Sequence, residues 1–233
     1  RDIYNLFLEK PPVLIPRQHR LEVSERLDTT GAVVTPLDEA EARQRIDELV
    51  AAGVEVIVIG FLHSYANGEH ERRVAEMVAK RCDVPAITSH SVCGEYREYE
   101  RFSTAAVHGA VMPTVRRYLT NIRQGLTEQG VEAPLTVMQS SGGLCSDEEA
   151  IRQPGSIVES GPAAGVISVV EVGRRLGLGE LISFDMGGTT AKATLVRDGE
   201  ITINTDYEVG GGIQGGFGTG YPIRTPVIDL VEI

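Results

Sequence analysis

The stretch Leu181–Val196, LISFDMGGTTAKATLV, decides how the rest of the chain is read. Leu181 to Phe184 is an apolar, β-branched-rich run and reads as a strand; Ala193 to Val196 reads as its return. Between them a carboxylate, Asp185, sits at the strand end. Gly187 and Gly188 then allow a tight turn in which backbone N–H groups approach a ligand with no Cβ in the way. Thr189 and Thr190 add two hydroxyls able to bond phosphate oxygens, and Lys192 adds a positive charge. A carboxylate beside such a turn suits Mg2+ held through water, or the orientation of an attacking water. The pattern is not a Walker loop, which needs GxxxxGK[ST] ahead of a helix. The same residues also suit a plain glycine hairpin, so the motif has to be weighed with its surroundings.

Working outward, Asp198-Gly199 predicts a hairpin turn and Glu200 to Asn204 a third strand. Upstream, Gly161-Pro162 opens a helix with Val166, Val169, Val170, Gly173 and Leu176 on one side. A short strand, Leu135 to Met138, leads into Ser140-Ser141-Gly142-Gly143. Strand ends and helix starts line ligand clefts in open α/β sheets, and a helix N-terminus favours anions. Ser141, Gly142, Gly143, Ser160 and Gly161 are therefore candidate ligand or anion contacts. A turn and an N-cap account for the same residues equally well.

Further upstream a long helical pattern starts at Glu95 and is stopped by Gly130, with Pro113 inside it. Val54 to Tyr65, VEVIVIGFLHSY, is near-continuously apolar and predicts an interior strand, buried on both faces. Thr35-Pro36 marks a helix start, with Asp38 and Glu39 in its first turn, and Gly53 ends the helix. Asn67 to Arg81 predicts a polar helix and Val84 to Val92 a strand. Alternating helices and strands place the chain in the α/β class.

The chain has 233 residues, 42% hydrophobic and 24% charged, and a formal net charge of −11. This is ordinary globular composition, and the charge argues against nucleic acid and acidic membranes as partners. Cys82, Cys93 and Cys145 show neither zinc spacing nor a pairable set, which suggests a reducing, cytoplasmic setting. No run is long and apolar enough to span a bilayer.

His63 and His70-Glu71 invite a metal reading, but their spacing is not HExxH, and a buried, hydrogen-bonded His63 is the better reading. Glu95 to Arg101, EYREYER, reads as a solvated, ion-paired helix face. Gly210 to Gly220, GGGIQGGFGTG, reads as a loop suited to a substrate or partner lid.

Nine blocks in order carry a resemblance to the hydantoinase A / 5-oxoprolinase family: RDIYNL, LIPR, SERLDTTG, TPLDE, FLHSYANGEHE, EYREYERFSTAAVHGAVMPTVRRYL, VMQSSGGL, ESGPAAGV and FDMGGTTAK. The resemblance implies an actin-like ATPase with two ribonuclease-H-like lobes around an ATP cleft. Residues 1–95 would be the C-terminal part of the first lobe and 96–233 the N-terminal part of the second. Asp185 would be catalytic and hold Mg2+. Gly187, Gly188, Thr189, Thr190 and Lys192 would contact ATP. The implied function is ATP-dependent hydrolysis of a cyclic amide or imide of the hydantoin or 5-oxoproline type, ATP phosphorylating the carbonyl oxygen, with a hydantoinase B-type partner. An ATP-dependent ketone carboxylase subunit and a non-catalytic interaction fragment are the alternatives. The chain departs from the family pattern in two ways. The family's first phosphate loop, DxGGTFTD, would lie upstream of Arg1, so the chain is expected to be an internal piece, inactive alone. Many relatives have aspartate where this chain has Lys192, which favours a phosphate or ion-pair role there over a metal role.

Overall fold

The computed structural model describes residues 12–188, 190–210 and 220–232. Strands β1 (Arg26–Leu27) and β2 (Val33–Thr35) precede helix α1 (Glu39–Ala51). Then come β3 (Ile57–Ile59), α2 (Glu69–Arg81), β4 (Ala86–Thr88), α3 (Ser89–Val92) and the long α4 (Glu98–Glu128). The second half holds β5 (Thr136–Met138), β6 (Leu144–Ser146), α5 (Asp147–Arg152), α6 (Ser160–Leu176), β7 (Leu181–Met186) and β8 (Ala191–Arg197). Short strands follow: β9 (Glu200–Ile201), β10 (Ile203–Asn204), β11 (Tyr207–Val209), β12 (Tyr221–Ile223), β13 (Val227–Ile228) and β14 (Val231–Glu232). The chain forms two compact units, one of residues 1–114 and 208–224, the other of 115–207 and 225–233. The α/β class is as the alternation predicts.

In the first unit α1 starts at Glu39, later than the Thr35-Pro36 start that the sequence signals: Thr35 ends β2, and Asp38, expected inside the first turn, is the N-cap. The Asp38 carboxylate accepts from the N–H groups of Ala40 and Glu41, satisfying two donors that have no partner inside the helix. Gly53 follows at φ 75°, a backbone conformation that glycine adopts without penalty. The apolar run at 54–65 yields only a three-residue strand, β3, pairing in parallel with β4. Beyond Ile59 the chain turns to bring Phe61 and Ser64 to a buried carboxylate, described below, and strand pairing stops. The expectation of burial on both faces holds, but the interior place in a sheet does not: among the described residues β3 pairs with β4 alone. Ile57 and Ile59 join Ala42, Ile46, Val74 and Val78 on the side of α1 and α2. Val56 and Val58 pack with Ile87, Ala105 and Met112 on the side of α4. That second contact is close: a Cβ on Gly109 would lie 2.6 Å from Val58 Cγ2.

The predicted strand at Val84–Val92 is strand only to Thr88, and Ser89 to Val92 form a helical turn. The EYREYER stretch is only partly the solvated face expected of it. Tyr96 and Tyr99 are exposed, but Arg101 is fully buried.

His108 on α4 is 1% exposed, and burial lowers its pKa from 6.5 to about 4. The unfolded chain takes up this proton near pH 6.5, the folded chain only near pH 4. The stability His108 contributes is thus complete above pH 6.5 and is lost as pH falls towards 4. In urea melts of the full-length protein this loss should be on the order of 3 kcal/mol. His108→Gln should flatten the pH slope in that window; an unchanged slope would assign it to other groups.

The second unit is built on an antiparallel sheet in the order β14-β8-β7, with β9 also paired to β8. Its register sets Asp185 opposite Lys192 and Phe184 opposite Ala193. One face carries Ser183, Thr194 and Val196, all buried; the other exposes Ile182, Phe184, Met186, Leu195 and Val231. The predicted third strand, 200–204, is interrupted at Thr202. Its N-terminal half stays on β8, while Ile203 and Asn204 pair with β13. Ala163, Val166 and Ile228 form the core beneath, helped by Ile167, Ile201 and Leu230. Among the described residues no helix is long and apolar enough to cross a membrane. The glycine-rich loop read as a lid lies, from 211 to 219, outside the described residues, as do residues 1–11, which include RDIYNL.

Candidate functional site

The DMGGTT turn closes the β7–β8 hairpin. Gly187 N–H donates to the Thr190 carbonyl over 3.1 Å, so the chain reverses within four residues. Thr189 lies outside the described residues. A Cβ on Gly188 would meet nothing within 4 Å, and one on Gly187 only the Thr190 carbonyl at 3.9 Å. The turn's backbone therefore borders open space, as a phosphate cradle must. Asp185 is exposed, and among the described residues nothing engages its carboxylate. One free carboxylate beside an open turn fits Mg2+, which takes few protein ligands and keeps several waters. Among the described residues no three His, Cys, Asp or Glu side chains group as a metal site.

Lys192 is not a free cation. Its Nζ lies 2.5 Å from Glu159 Oε2, both side chains being mostly buried. Glu159 precedes the first turn of α6, where the helix dipole favours its negative charge. The same carboxylate accepts from the Tyr207 hydroxyl at 3.2 Å. Burial, and then the Glu159 charge, push that phenol up to about 12, so Tyr207 remains a donor throughout the physiological range. Glu159 was absent from the sequence-based candidates. The signal available for it was the acidic residue directly before Ser160-Gly161-Pro162, opposite a lysine across the fold.

This ion pair brings the start of α6 beside the start of β8, so Ser160 and Gly161 lie on the side of the sheet that carries Lys192. A Cβ on Gly161 would meet nothing, so the helix start is open there. Ser140 to Gly143 form the turn between antiparallel β5 and β6, with Gly142 N–H donating to the Gln139 carbonyl. Ser140 is buried and structural: its Oγ accepts from Glu159 N–H at 3.1 Å and its carbonyl from Ile228 N–H at 2.8 Å. Gly142, at φ 88°, leaves room for Ile167, whose Cδ1 a Cβ would approach to 2.7 Å. Ser141 and Gly143 flank it at the turn's surface. Asp185, Lys192, Glu159 and the α6 start thus share one sheet–helix junction, held to the 140–143 turn through Ser140.

The first unit holds a second polar cluster, built around a carboxylate. Glu71 on α2 is fully buried. It accepts from Phe61 N–H (2.9 Å), Ser64 Oγ (2.6 Å), Ser89 Oγ (2.6 Å), His90 N–H (3.0 Å) and His90 Nδ1 (2.7 Å). Arg101 donates to Ser89 Oγ, to the Glu95 carbonyl and to the Phe61 carbonyl, the last at 2.6 Å. Burial alone would push the Glu71 carboxyl up. The hydrogen bonds from His90, Ser64 and Ser89 outweigh it and hold the group below its ordinary value of 4.5. His70 pairs with Glu25 at 2.7 Å.

The chain matches the hydantoinase/oxoprolinase family over residues 101–233 and the N-terminal region of hydantoinase/oxoprolinase over residues 1–82. It is 43% identical over 99% of its length to an uncharacterized protein of Methanocaldococcus jannaschii, spanning 35% of that protein. It is 34% identical to the acetone carboxylase beta subunit of Xanthobacter autotrophicus over 85% of this chain and 28% of the relative. With the caprolactamase alpha subunit of Pseudomonas jessenii it shares 33% identity over 85% of this chain and 29% of the relative. The solved ATP-dependent caprolactamase superposes with a TM-score of 0.85 at 29% identity, covering 99% of this chain and 32% of that one. A nucleotide-free acetone carboxylase gives 0.78 at 31% identity, covering 95% of this chain and 30% of that one. The chain spans about a third, or less, of the length of these relatives.

Proposed function

Because the chain belongs to the hydantoinase/oxoprolinase family, we propose that its whole protein couples ATP to hydrolysis of a cyclic amide or imide, working with a hydantoinase B-type partner. The observation that carries this reading is the open Gly187-Gly188 turn at the end of β7, with the unengaged Asp185 carboxylate beside it. In this reading the turn's N–H groups and the start of α6 bind the phosphates. Asp185 would hold hydrated Mg2+, which would offset phosphate charge. Glu159 fixes the Lys192 ammonium at the junction, and Ser160 and Gly161 leave the helix start accessible. Ser141, Gly142 and Gly143 would complete the nucleotide contacts, and Thr189 and Thr190 would add hydroxyl donors. The two-lobed, actin-like architecture, divided near residue 95, belongs to the same proposal, as does a cytoplasmic location.

The likeness to the acetone carboxylase beta subunit favours a second reading, in which ATP energy serves carboxylation of a ketone. One experiment separates the two. The full-length protein, coproduced with its partner subunit, is assayed for ATP turnover with 5-oxoproline, hydantoin or caprolactam, and with acetone plus bicarbonate. Turnover stimulated by a cyclic amide and indifferent to bicarbonate is the expected result. Stimulation by the ketone that requires bicarbonate would replace hydrolysis with carboxylation.

A further inference from the structure

Lys192 stands between two carboxylates and pairs with neither. The antiparallel register of β8 sets it opposite Asp185 on β7 and opposite Glu232 on β14, so the three side chains leave the same face of the sheet. In such cross-strand pairs the Cβ atoms lie about 4.5–5.5 Å apart, within easy reach of a lysine's four-carbon stem, and opposite charges attract. Asp185 and Glu232 are both exposed. Yet among the described residues the ion pair that Lys192 makes is with Glu159, at 2.5 Å, at the foot of α6.

Glu159 is placed to hold that ammonium. Its backbone N–H donates to Ser140 Oγ at 3.1 Å, and the Tyr207 hydroxyl donates to its Oε1 at 3.2 Å, which leaves Oε2 to Lys192. The Lys192 and Glu159 side chains retain only 16% and 18% of their exposure. Water and salt screen this pair less than they would a pair with the exposed Asp185, so the ammonium rests on Glu159. The hairpin bond from Gly187 N–H to the Thr190 carbonyl meanwhile keeps positions 185 and 192 opposite one another. Without Glu159 the ammonium would fall to a carboxylate across the strands. On Asp185 it would neutralise the charge that a cation needs and repel the cation directly.

We propose that Glu159 is a positioning residue that draws the Lys192 ammonium off Asp185 and so keeps that carboxylate free for a divalent cation. The proposal rests on the reading above, in which Asp185 holds hydrated Mg2+, and explains how that role is compatible with a lysine directly opposite. Glu159 acts through Lys192 alone and touches neither the metal nor the phosphates.

The test is Mn2+ binding, as a stand-in for Mg2+, to the full-length protein without nucleotide or turnover, read from the electron paramagnetic resonance signal of free Mn2+. Because Glu232 can take up a freed ammonium, every variant is compared in a Glu232→Gln background, which leaves Asp185 as the carboxylate in register with Lys192. The part of the binding that Asp185→Asn removes defines the site. Glu159→Leu, which has no acceptor, should weaken that part about tenfold, the scale of a unit charge brought to about 4 Å from a divalent ion in screened, water-like surroundings. Glu159→Leu combined with Lys192→Met should restore it, which a merely structural role of Glu159 would not allow. Glu159→Gln keeps the shape and one acceptor and should weaken it less; with its own Lys192→Met double variant it carries the test if Glu159→Leu fails to fold. Unchanged Mn2+ affinity in the Glu159 variants, or a loss that Lys192→Met does not reverse, would overturn the role of Glu159 and leave the metal reading standing. Binding indifferent to Asp185→Asn would sink the metal reading and this proposal with it.

Discussion

Asp185→Asn lowers ATP turnover of the full-length protein by at least about a hundredfold, the scale of losing one preorganised electrostatic group, and leaves the fold intact. The carboxylate is exposed at the end of β7. Substitution therefore removes no buried hydrogen bond and opens no cavity, and the unfolding midpoint should stay where it is. Asparagine keeps the size and one acceptor oxygen but not the charge that a hydrated Mg2+ requires. Steady-state ATPase with the partner subunit present, alongside circular dichroism, measures both halves of the expectation. Near wild-type turnover would reduce the Gly187-Gly188 turn to an ordinary hairpin and take away the mechanistic anchor of the proposed function. Lys192→Ala should behave differently. Because Lys192 already pairs with the largely buried Glu159, its loss leaves a carboxylate unpaired, and part of its effect should appear as lower stability.

Glu71→Ala has the largest expected effect on folding. It strands the donors of Phe61, Ser64, Ser89 and His90 in a site closed to solvent. Breaking a buried, charge-bearing network by removing one partner destabilises by about 3–5 kcal/mol, a large share of the stability of an ordinary domain. Poor recovery of soluble protein, or a correspondingly lower urea midpoint, is expected. Glu71→Gln, which keeps one acceptor, should fall between the two. A midpoint within experimental error of wild type for Glu71→Ala would mean that the network is peripheral to stability. Acid should weaken the same network. Since hydrogen bonding holds the folded Glu71 carboxyl below 4.5, its contribution is present above that pH and is lost as pH falls below it. This window overlaps the lower end of the one set by His108, so the two losses add as pH falls through it.

Which features were legible in the sequence follows from the range of the forces that make them. The glycines ending α1 and α4, the Asp198-Gly199 turn and the β7–β8 hairpin depend on neighbours within a few residues. Their signals are written locally, and each formed where the sequence pointed. The double-sided burial of the Val54–Leu62 run was legible because an unbroken apolar run has no polar face to turn outward. Its length as a strand was not. Pairing stops at Ile59 because Glu71, ten residues beyond Phe61, captures the following backbone.

The sequence by itself determined the family, the α/β class and the placing of an Asp-x-Gly-Gly turn at a strand end, since these rest on ordered motifs and short-range geometry. Only the tertiary structure decided which charges meet. Glu159 reaches Lys192 across 33 residues of chain. Glu71 collects donors from two strand ends, and Arg101, read from sequence as part of a solvated face, is buried beneath them. Likewise His63, read from sequence as hydrogen-bonded, lacks a partner for Nδ1 among the described residues because the loop that carries it is held from outside by Glu71 and Arg101. Hydrogen bonds and ion pairs act over about 3–4 Å in space at any separation in sequence. Whether a polar side chain is satisfied is therefore set by the packing of distant elements, and no local pattern of residues records it.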